Sequence, residues 1–144
     1  MIALAWEGDW PITQRFGVAA PLYTMLGLEG HNGIDVGLPV GTPVRCVESG
    51  RIVEVGNDPT GYGYHVKLVT PSRRAWLWAH LSLSGLPWVG SWYEPGETVA
   101  YSGNSGLSTG AHLHLGFRPD EGVRGWPFNG YSDPLPHAGV QPSS

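Results

Sequence analysis

Hydrophobic and polar residues alternate along several short stretches of the chain, and glycine or proline separates these stretches from one another. Alternation with a period of two is typical of β-strands that bury one face, because successive side chains of a strand point to opposite sides. No stretch of ten or more residues has the period of an amphipathic helix. The pattern predicts strands at 10–17, 31–37, 44–48, 51–55, 64–70, 74–80, 97–101 and 111–115.

The residues between these strands indicate how the strands connect. Ser49-Gly50 separates two β-rich runs and is typical of a two-residue hairpin turn. Residues 82–96 and 118–144 read as loops. With 22 glycines and 13 prolines, many short strands joined by turns are favoured over long helices. We therefore expect an all-β sandwich or barrel-like fold in a single domain over 1–144, with its core at about 10–118 and a loop-rich C-terminal extension at 119–144.

Two histidines lie two positions apart in Ala111-His-Leu-His-Leu115. In a strand, His112 and His114 share one face, while Leu113 and Leu115 point to the core. Two adjacent imidazoles fill a core poorly, because each ring has nitrogens that need polar partners. Taken alone, the pair is more typical of a capping and a buried hydrogen-bonding histidine than of a metal site.

Further candidate ligands lie elsewhere in the chain. His31 and Asp35 are four positions apart, and the glycines around them favour an extended conformation that puts both on one side. His80 ends the strand predicted at 74–80. A catalytic zinc site needs three protein ligands and one open position for water, whose pKa the metal lowers. The spacings alone leave open which candidates bind metal and which supply acid–base catalysis.

Five motifs occur in order along the chain: His31-Asn-Gly-Ile-Asp35, Val40-Gly-Thr-Pro-Val44, Gly61-Tyr-Gly63, Ala79-His-Leu-Ser82 and Ser105-Gly-Leu-Ser-Thr-Gly-Ala-His-Leu-His114. Together they resemble the ordered motifs of the lysostaphin-like zinc endopeptidases, over about Ile12 to Phe117. The chain departs from that family at Trp78, where tyrosine is common, and at Tyr64-His65, where asparagine commonly follows Gly-Tyr-Gly. Both positions are candidates for shaping the groove, so the resemblance leaves fine specificity open.

The resemblance implies a metal site and two catalytic groups. His31, Asp35 and His114 fall on the family's metal ligands, with one Zn²⁺ per chain. His80 and His112 fall on its two catalytic histidines, whose base and acid roles stay open between them. The implied fold is a mainly antiparallel β sandwich of the duplicated-hybrid-motif type with a groove over one sheet. The implied substrates are the cross-bridges and stem peptides of bacterial peptidoglycan.

Composition and charge exclude other classes of function. The net charge of −4 and the lack of a basic stripe give no reason to expect nucleic-acid binding. No apolar run approaches the roughly 18 residues of a membrane span, so membrane insertion is not expected. The N-terminus lacks the basic region of a signal peptide. We therefore expect a monomer that acts on the cell wall as a bacteriophage lysin released from the host cytoplasm, or as a virion component.

An alternative is a metal-stabilised wall-binding or virion structural module with little turnover. The complete set of five candidate residues favours the hydrolase, because relatives in the resembled family that have lost activity usually lack some of them. Several aromatic residues are further candidates for the groove. Tyr23 is a candidate for reaching the oxyanion, and each tryptophan of 76, 78, 88, 92 and 126 is expected more often in the core or a lid than in the groove.

Overall fold

The computed structural model describes residues 10–20, 28, 30–108 and 110–137. Within these residues the chain forms nine strands and no helix. The strands are β1 (Ile12–Gln14), β2 (Ile34–Val36), β3 (Pro43–Arg45), β4 (Gly50–Asp58), β5 (Gly63–Val69), β6 (Ala75–Leu81), β7 (Trp92–Tyr93), β8 (Thr98–Tyr101) and β9 (Leu113–Arg118).

The strands form two antiparallel sheets. The large sheet has seven strands in the order β1-β2-β9-β6-β5-β4-β7, and β3 pairs with β8 in a two-stranded sheet. One hydrophobic core contains side chains from both sheets, so that the small sheet and its connections cover one face of the large sheet. The expected all-β, mainly antiparallel fold is confirmed.

Alternation along the central strands separates the core from the opposite face. In β9, Leu113, Leu115 and Phe117 are fully buried in the core, and so are Trp76 and Trp78 of β6. The residues between them point to the other side of the sheet. The small residues and histidines of that other side can therefore build a site without disturbing the core.

The predicted hairpin at Ser49-Gly50 is wrong. The run at 44–48 contributes β3, which pairs with β8, whereas the next run belongs to β4, which pairs with β5 and β7. Gly50 is itself part of β4, and a Cβ atom there would overlap the Leu68 side chain. The glycine therefore serves close packing within the large sheet and not a turn.

Other differences concern the ends of elements. The segment 82–96, expected as a loop, contains the two-residue strand β7. His112 lies just before β9, in an isolated bridge with Gly103. Residues 119–137 contain no named strand and pack onto the large sheet, where Arg118 Nε donates to the carbonyl oxygen of Asn129 at 2.9 Å and Tyr131 is buried. No helix in the described part of the chain is long and apolar enough to cross a membrane.

Candidate metal centre

Asp35 and His114 face each other on adjacent strands. Asp35 is the middle residue of β2, His114 is the second residue of β9, and the antiparallel register pairs their Cα atoms. The residues on either side of each are fully buried in the core. Because side chains alternate along a strand, the Asp35 carboxylate and the His114 imidazole are directed to the opposite face, toward the groove.

His31 reaches the same point from the segment that precedes β2. Its backbone N–H donates to the carbonyl oxygen of Val18 at 2.9 Å, and its carbonyl accepts from Gly17 N at 2.8 Å. The side-chain Nδ1 lies 3.2 Å from the carbonyl oxygen of Arg15. A carbonyl can only accept, so Nδ1 carries the proton and Nε2 presents a lone pair.

Three donor atoms of these residues form a small triangle. His31 Nε2 lies 3.1 Å from Asp35 Oδ1 and 3.1 Å from His114 Nδ1, and His114 Nδ1 lies 3.2 Å from Asp35 Oδ1. Zinc bonds of about 2.0 to 2.1 Å in a tetrahedron place ligand atoms about 3.3 to 3.4 Å apart. The triangle therefore needs to expand by only a few tenths of an ångström to hold Zn²⁺.

The surroundings of His114 also fit a metal ligand. Its Nε2 is buried and has no hydrogen-bond partner among the described residues, whereas its Nδ1 is directed at the other two donors. A Cβ atom on Gly33 would lie 2.8 Å from His114 Nε2 and would overlap the carbonyl oxygen of Leu115. Glycine at position 33 is thus required for the ring to occupy this place.

The protonation states suit a cation. Burial acts to raise the pKa of the Asp35 carboxyl, but its close interactions with His114 and His31 outweigh burial and hold that pKa well below its usual range. Burial lowers the pKa of His114. An ionised carboxylate and neutral imidazoles are the forms that bind metal ions. These three residues are also the set within the described chain whose donor atoms meet closely enough for a metal.

Two further histidines lie beside the triangle. The rings of His80 and His112 are 4.5 Å apart between centroids, and His80 lies 6.3 Å from the His114 ring. His80 Nδ1 donates to the Ser105 carbonyl at 2.8 Å, and His112 Nδ1 donates to the Gly110 carbonyl at 2.8 Å. Both rings therefore keep Nε2 unprotonated in their neutral form. Burial lowers the pKa of His80 to about 4, so its neutral form dominates at neutral pH.

A β-bulge in β6 brings His80 into the site. Tyr64 pairs with Leu81 and Val66 pairs with Trp78, so β6 has one more residue than β5 in this interval. His80 adopts a φ of 59°, in the left-handed region that residues other than glycine rarely enter. Strict alternation from Trp78 would bury His80 in the core. The bulge instead places Leu81 there and directs His80 to the groove.

The side chains of these four histidines and Asp35 line a groove of about 980 Å³. One wall comes from the end of β4 and the turn after it, with Asp58, Gly61 and Tyr62. Another comes from the segment after β9, with the largely exposed Trp126. The structure thus brings together the five residues that the sequence predicted as metal ligands or catalytic histidines, namely His31, Asp35, His80, His112 and His114.

Sequence reasoning gave no role to Asn32 and Tyr62, which also line the groove. Asn32 Nδ2 donates to the Tyr62 hydroxyl at 2.7 Å, and the Tyr62 ring lies 5.4 Å from that of His114. The Gly-Tyr-Gly motif was the signal that could have identified Tyr62. Tyr23, the candidate for the oxyanion, lies outside the described residues.

The tryptophans divide between the core and the surface. Trp76 and Trp78 are fully buried, Trp88 and Trp92 are exposed outside the groove, and Trp126 lines it. His65, another histidine of the chain, pairs instead with Glu54 at 2.8 Å and does not line the groove.

Comparison with known sequences places this chain among peptidases. The sequence model described as Peptidase family M23 matches residues 29–128. Lysostaphin from Staphylococcus simulans is 37% identical over 94 residues, which are 62% of this chain and 19% of lysostaphin. Peptidoglycan DD-endopeptidase ShyA from Vibrio cholerae is 34% identical over 137 residues, or 94% of this chain and 30% of ShyA. The chain thus spans less than a third of the length of these two relatives.

Solved structures have the same fold. The catalytic domain of the antimicrobial peptidase lysostaphin from Staphylococcus simulans superimposes with a TM-score of 0.74 at 28% identity, covering 91% of this chain and 93% of that domain. The catalytic domain of the prophage-encoded M23 protein EnpA from Enterococcus faecalis, solved as a point mutant, gives a TM-score of 0.71 at 26% identity. It covers 93% of this chain and 95% of that one. The superpositions thus cover most of each of these two catalytic domains.

Proposed function

The chain belongs to peptidase family M23, and from this we propose that it is a zinc-dependent endopeptidase that hydrolyses peptide bonds of bacterial peptidoglycan. The observation that carries the proposal is the triangle of His31, Asp35 and His114 with two further histidines beside it. A purely structural metal site has four protein ligands and no use for an adjacent acid–base pair. Here the described residues would supply three ligands, and all three line the groove, where water could complete the coordination.

His31 Nε2, Asp35 Oδ1 and His114 Nδ1 would hold the zinc ion, one per chain. Zinc in such a site lowers the pKa of water toward neutrality and polarises a peptide carbonyl. The low pKa of Asp35 keeps its carboxylate ionised, and the hydrogen bond from His31 Nδ1 to the Arg15 carbonyl fixes the ring that presents Nε2. The chain's own residues thus supply a preorganised set of ligands.

His80 and His112 would move the protons of hydrolysis. As the C–O bond to water forms, one Nε2 accepts the proton that the water loses, and as the C–N bond breaks, a proton passes to the leaving amine. Asp35 Oδ2 lies 3.8 Å from His112 Nε2. His80, kept neutral by burial, presents its Nε2 as a proton acceptor. Both rings take part in proton transfer, and the hydrogen bonds from their Nδ1 atoms to backbone carbonyls keep the rings oriented.

The proposed substrate follows from the groove and the relatives. The groove is open, and glycines at positions 61, 110 and 125 line its walls, so an extended peptide backbone can approach closely. Lysostaphin is described as an antimicrobial peptidase and ShyA as a peptidoglycan DD-endopeptidase. We assign peptidoglycan peptides to this chain on that basis.

Digestion of purified sacculi tests this proposal. Zinc-loaded protein is incubated with sacculi of several peptidoglycan types, with and without a chelator, and the released muropeptides are identified by mass spectrometry. New amino termini that appear only without chelator support the endopeptidase. Tight binding to sacculi with no new termini, unchanged in His80→Ala, would identify the alternative, a metal-stabilised wall-binding or virion structural module.

We further propose that the chain works as a single monomeric metallopeptidase domain of a bacteriophage lysin or of a virion. The similarity to the catalytic domain of a prophage-encoded protein of nearly the same length supports this role. A neighbouring holin or tail gene would support it too. A gene that lies among those for chromosomal cell-wall synthesis, with no phage genes nearby, would contradict it.

A further inference from the structure

The described residues that line the groove include no lysine and no arginine. Two carboxylates line it, those of Asp35 and Asp58. The proposed metal would balance the charge of Asp35, whose Oδ1 lies beside His31 and His114. Arg124 is adjacent in sequence to the lining residue Gly125, but its guanidinium bonds to the Glu121 side chain at 2.9 Å. The groove therefore has a negative charge at Asp58 with no basic side chain among the described residues to receive a carboxylate.

Asp58 is exposed at the end of β4. Its carboxylate accepts a hydrogen bond from the Thr60 hydroxyl at 3.3 Å, and no lysine, arginine or histidine of the described chain forms an ion pair with it. The carboxylate packs against Gly61, next to Tyr62, whose ring contacts that of His114. The Asp58 carboxylate thus lies on the groove wall that also contains Tyr62, the neighbour of His114.

On these grounds we propose that Asp58 selects a peptide with an amino group close to the bond that is cut, and disfavours a carboxylate there; this inference rests on the proposed function. The amino group belongs either to a free N-terminus or to a side-chain amine of the peptidoglycan peptide. Attraction between the ammonium and Asp58 strengthens binding, and a carboxylate is repelled without a basic residue to compensate. Because Asp58 is exposed, salt weakens the preference.

Matched peptides test the inference. A peptide that zinc-loaded protein cleaves is prepared with lysine, glutamine or glutamate at each position flanking the cleaved bond, and with a free or an acetylated N-terminus. Comparison of the lysine, glutamine and glutamate peptides shows whether Asp58 prefers a side-chain amine. Comparison of the free and acetylated peptides shows whether it prefers an N-terminal amine. The variant Asp58→Asn is compared with Asp120→Asn, which removes the same charge from an exposed acid outside the groove.

We expect the amine-bearing peptide to be cleaved roughly three- to tenfold more efficiently in kcat/KM than its neutral partner, and the carboxylate peptide less efficiently than both. Asp58→Asn should abolish this difference while cleavage of the neutral peptide persists, and Asp120→Asn should retain it. Equal cleavage of all three peptides, or an unchanged preference in Asp58→Asn, would overturn the inference but not the proposed function.

If no peptide is cleaved, the proposed function fails, and binding of the same peptides decides the inference separately. NMR titration then compares the affinity of the amine-bearing and neutral peptides for the zinc-loaded wild type and for Asp58→Asn. Tighter binding of the amine-bearing peptide that is lost in Asp58→Asn supports the inference. Equal binding overturns it.

Discussion

The Nε2 atom of His31 lies 3.1 Å from the Nδ1 atom of His114, although 83 positions separate the two residues in the chain. His31 Nδ1 donates its proton to the Arg15 carbonyl, so His31 Nε2 is unprotonated and presents only a lone pair to His114. Asp35 Oδ1 lies 3.1 Å from the His31 nitrogen and 3.2 Å from the His114 nitrogen. Three electron-pair donors that converge on one point are best accommodated by a cation, and the other residues of the groove are arranged around that point.

The first prediction separates metal binding from turnover. His114→Ala should lose zinc, because it removes one of three ligands, whereas His80→Ala should keep about one zinc per chain. His80→Ala should nonetheless lower kcat by about 10²- to 10⁴-fold, the usual contribution of a general acid or base. Zinc content by atomic absorption and amine release from sacculi are measured on the same preparations. Equal loss of zinc from both variants would contradict the assignment.

The same comparison applies to His112, just before β9, and His114, within β9. His112→Ala should retain zinc and lose turnover, unlike His114→Ala, although both side chains face the groove. Loss of zinc from His112→Ala would show that the division between the two histidines is wrong.

Gly33→Ala should weaken zinc binding. The added Cβ would overlap the Leu115 carbonyl and crowd the His114 ring, so the ring must move away from its ligand position. We expect a loss of about 1 to 3 kcal/mol in unfolding free energy, typical of overpacking, together with a measurable loss in zinc affinity. The control is Gly110→Ala, where no neighbouring atom lies within 4 Å of the new Cβ and φ is not positive. Competition with a fluorescent chelator measures both affinities.

The unfolding free energy of the metal-free protein should decrease as the pH is lowered through a defined window. The pKa of His80 is lowered by burial from 6.5 to about 4 in the folded protein, so the unfolded chain binds the proton more tightly. The contribution of neutral His80 is fully present above pH 6.5 and is lost as the pH falls to about 4. The lowered pKa of His114 acts in the same direction. The lowered pKa of Asp35 affects the unfolding free energy only below its ordinary pKa of 3.8.

Urea unfolding at about pH 7.5, above this window, and at about pH 4.5, near its lower end, checks the expectation. The fall in unfolding free energy between the two pH values should be smaller in His80→Gln than in the wild type, because the variant has no proton to take up at position 80. An equal fall in both proteins would show that His80 is not held neutral by the fold.

Trp126 should contribute to substrate binding. It is 65% exposed and lines the groove, whereas Trp88 is 84% exposed and lies outside it. Trp126→Ala should raise KM roughly three- to tenfold with little change in kcat, as expected when a contact stabilises substrate and transition state equally. Trp88→Ala should change neither constant. Steady-state kinetics on a soluble cleaved peptide measures both, and equal effects of the two substitutions would remove Trp126 from the substrate-binding wall.

Much of the site could be predicted because its residues occupy strands with a simple period. Leu113 and Leu115 enter the core, so His114 between them had to face the other side. The same reasoning orients Asp35 between two buried neighbours. The pairing of β2 with β9, which brings these residues together, is a long-range contact that local patterns do not determine. The resemblance to a known family was the source of that grouping.

Local irregularities could not be predicted in this way. The bulge that directs His80 to the groove depends on one extra residue in β6 relative to β5, and its left-handed backbone is imposed by the packing around it. Ser49-Gly50 has the composition of a hairpin turn, yet the chain passes there from one sheet to the other. In both places tertiary packing outweighs the local preference.

The central claim is that zinc bound by His31, Asp35 and His114 is required for peptide-bond hydrolysis. The most direct test is a zinc titration of the chelated, metal-free protein, with bound zinc and the release of amino groups from sacculi measured on the same samples. The account predicts that hydrolysis is absent without zinc, rises in proportion to bound zinc and reaches its maximum at one zinc per chain. Intact sacculi at one bound zinc per chain, or hydrolysis that proceeds without zinc, would contradict it.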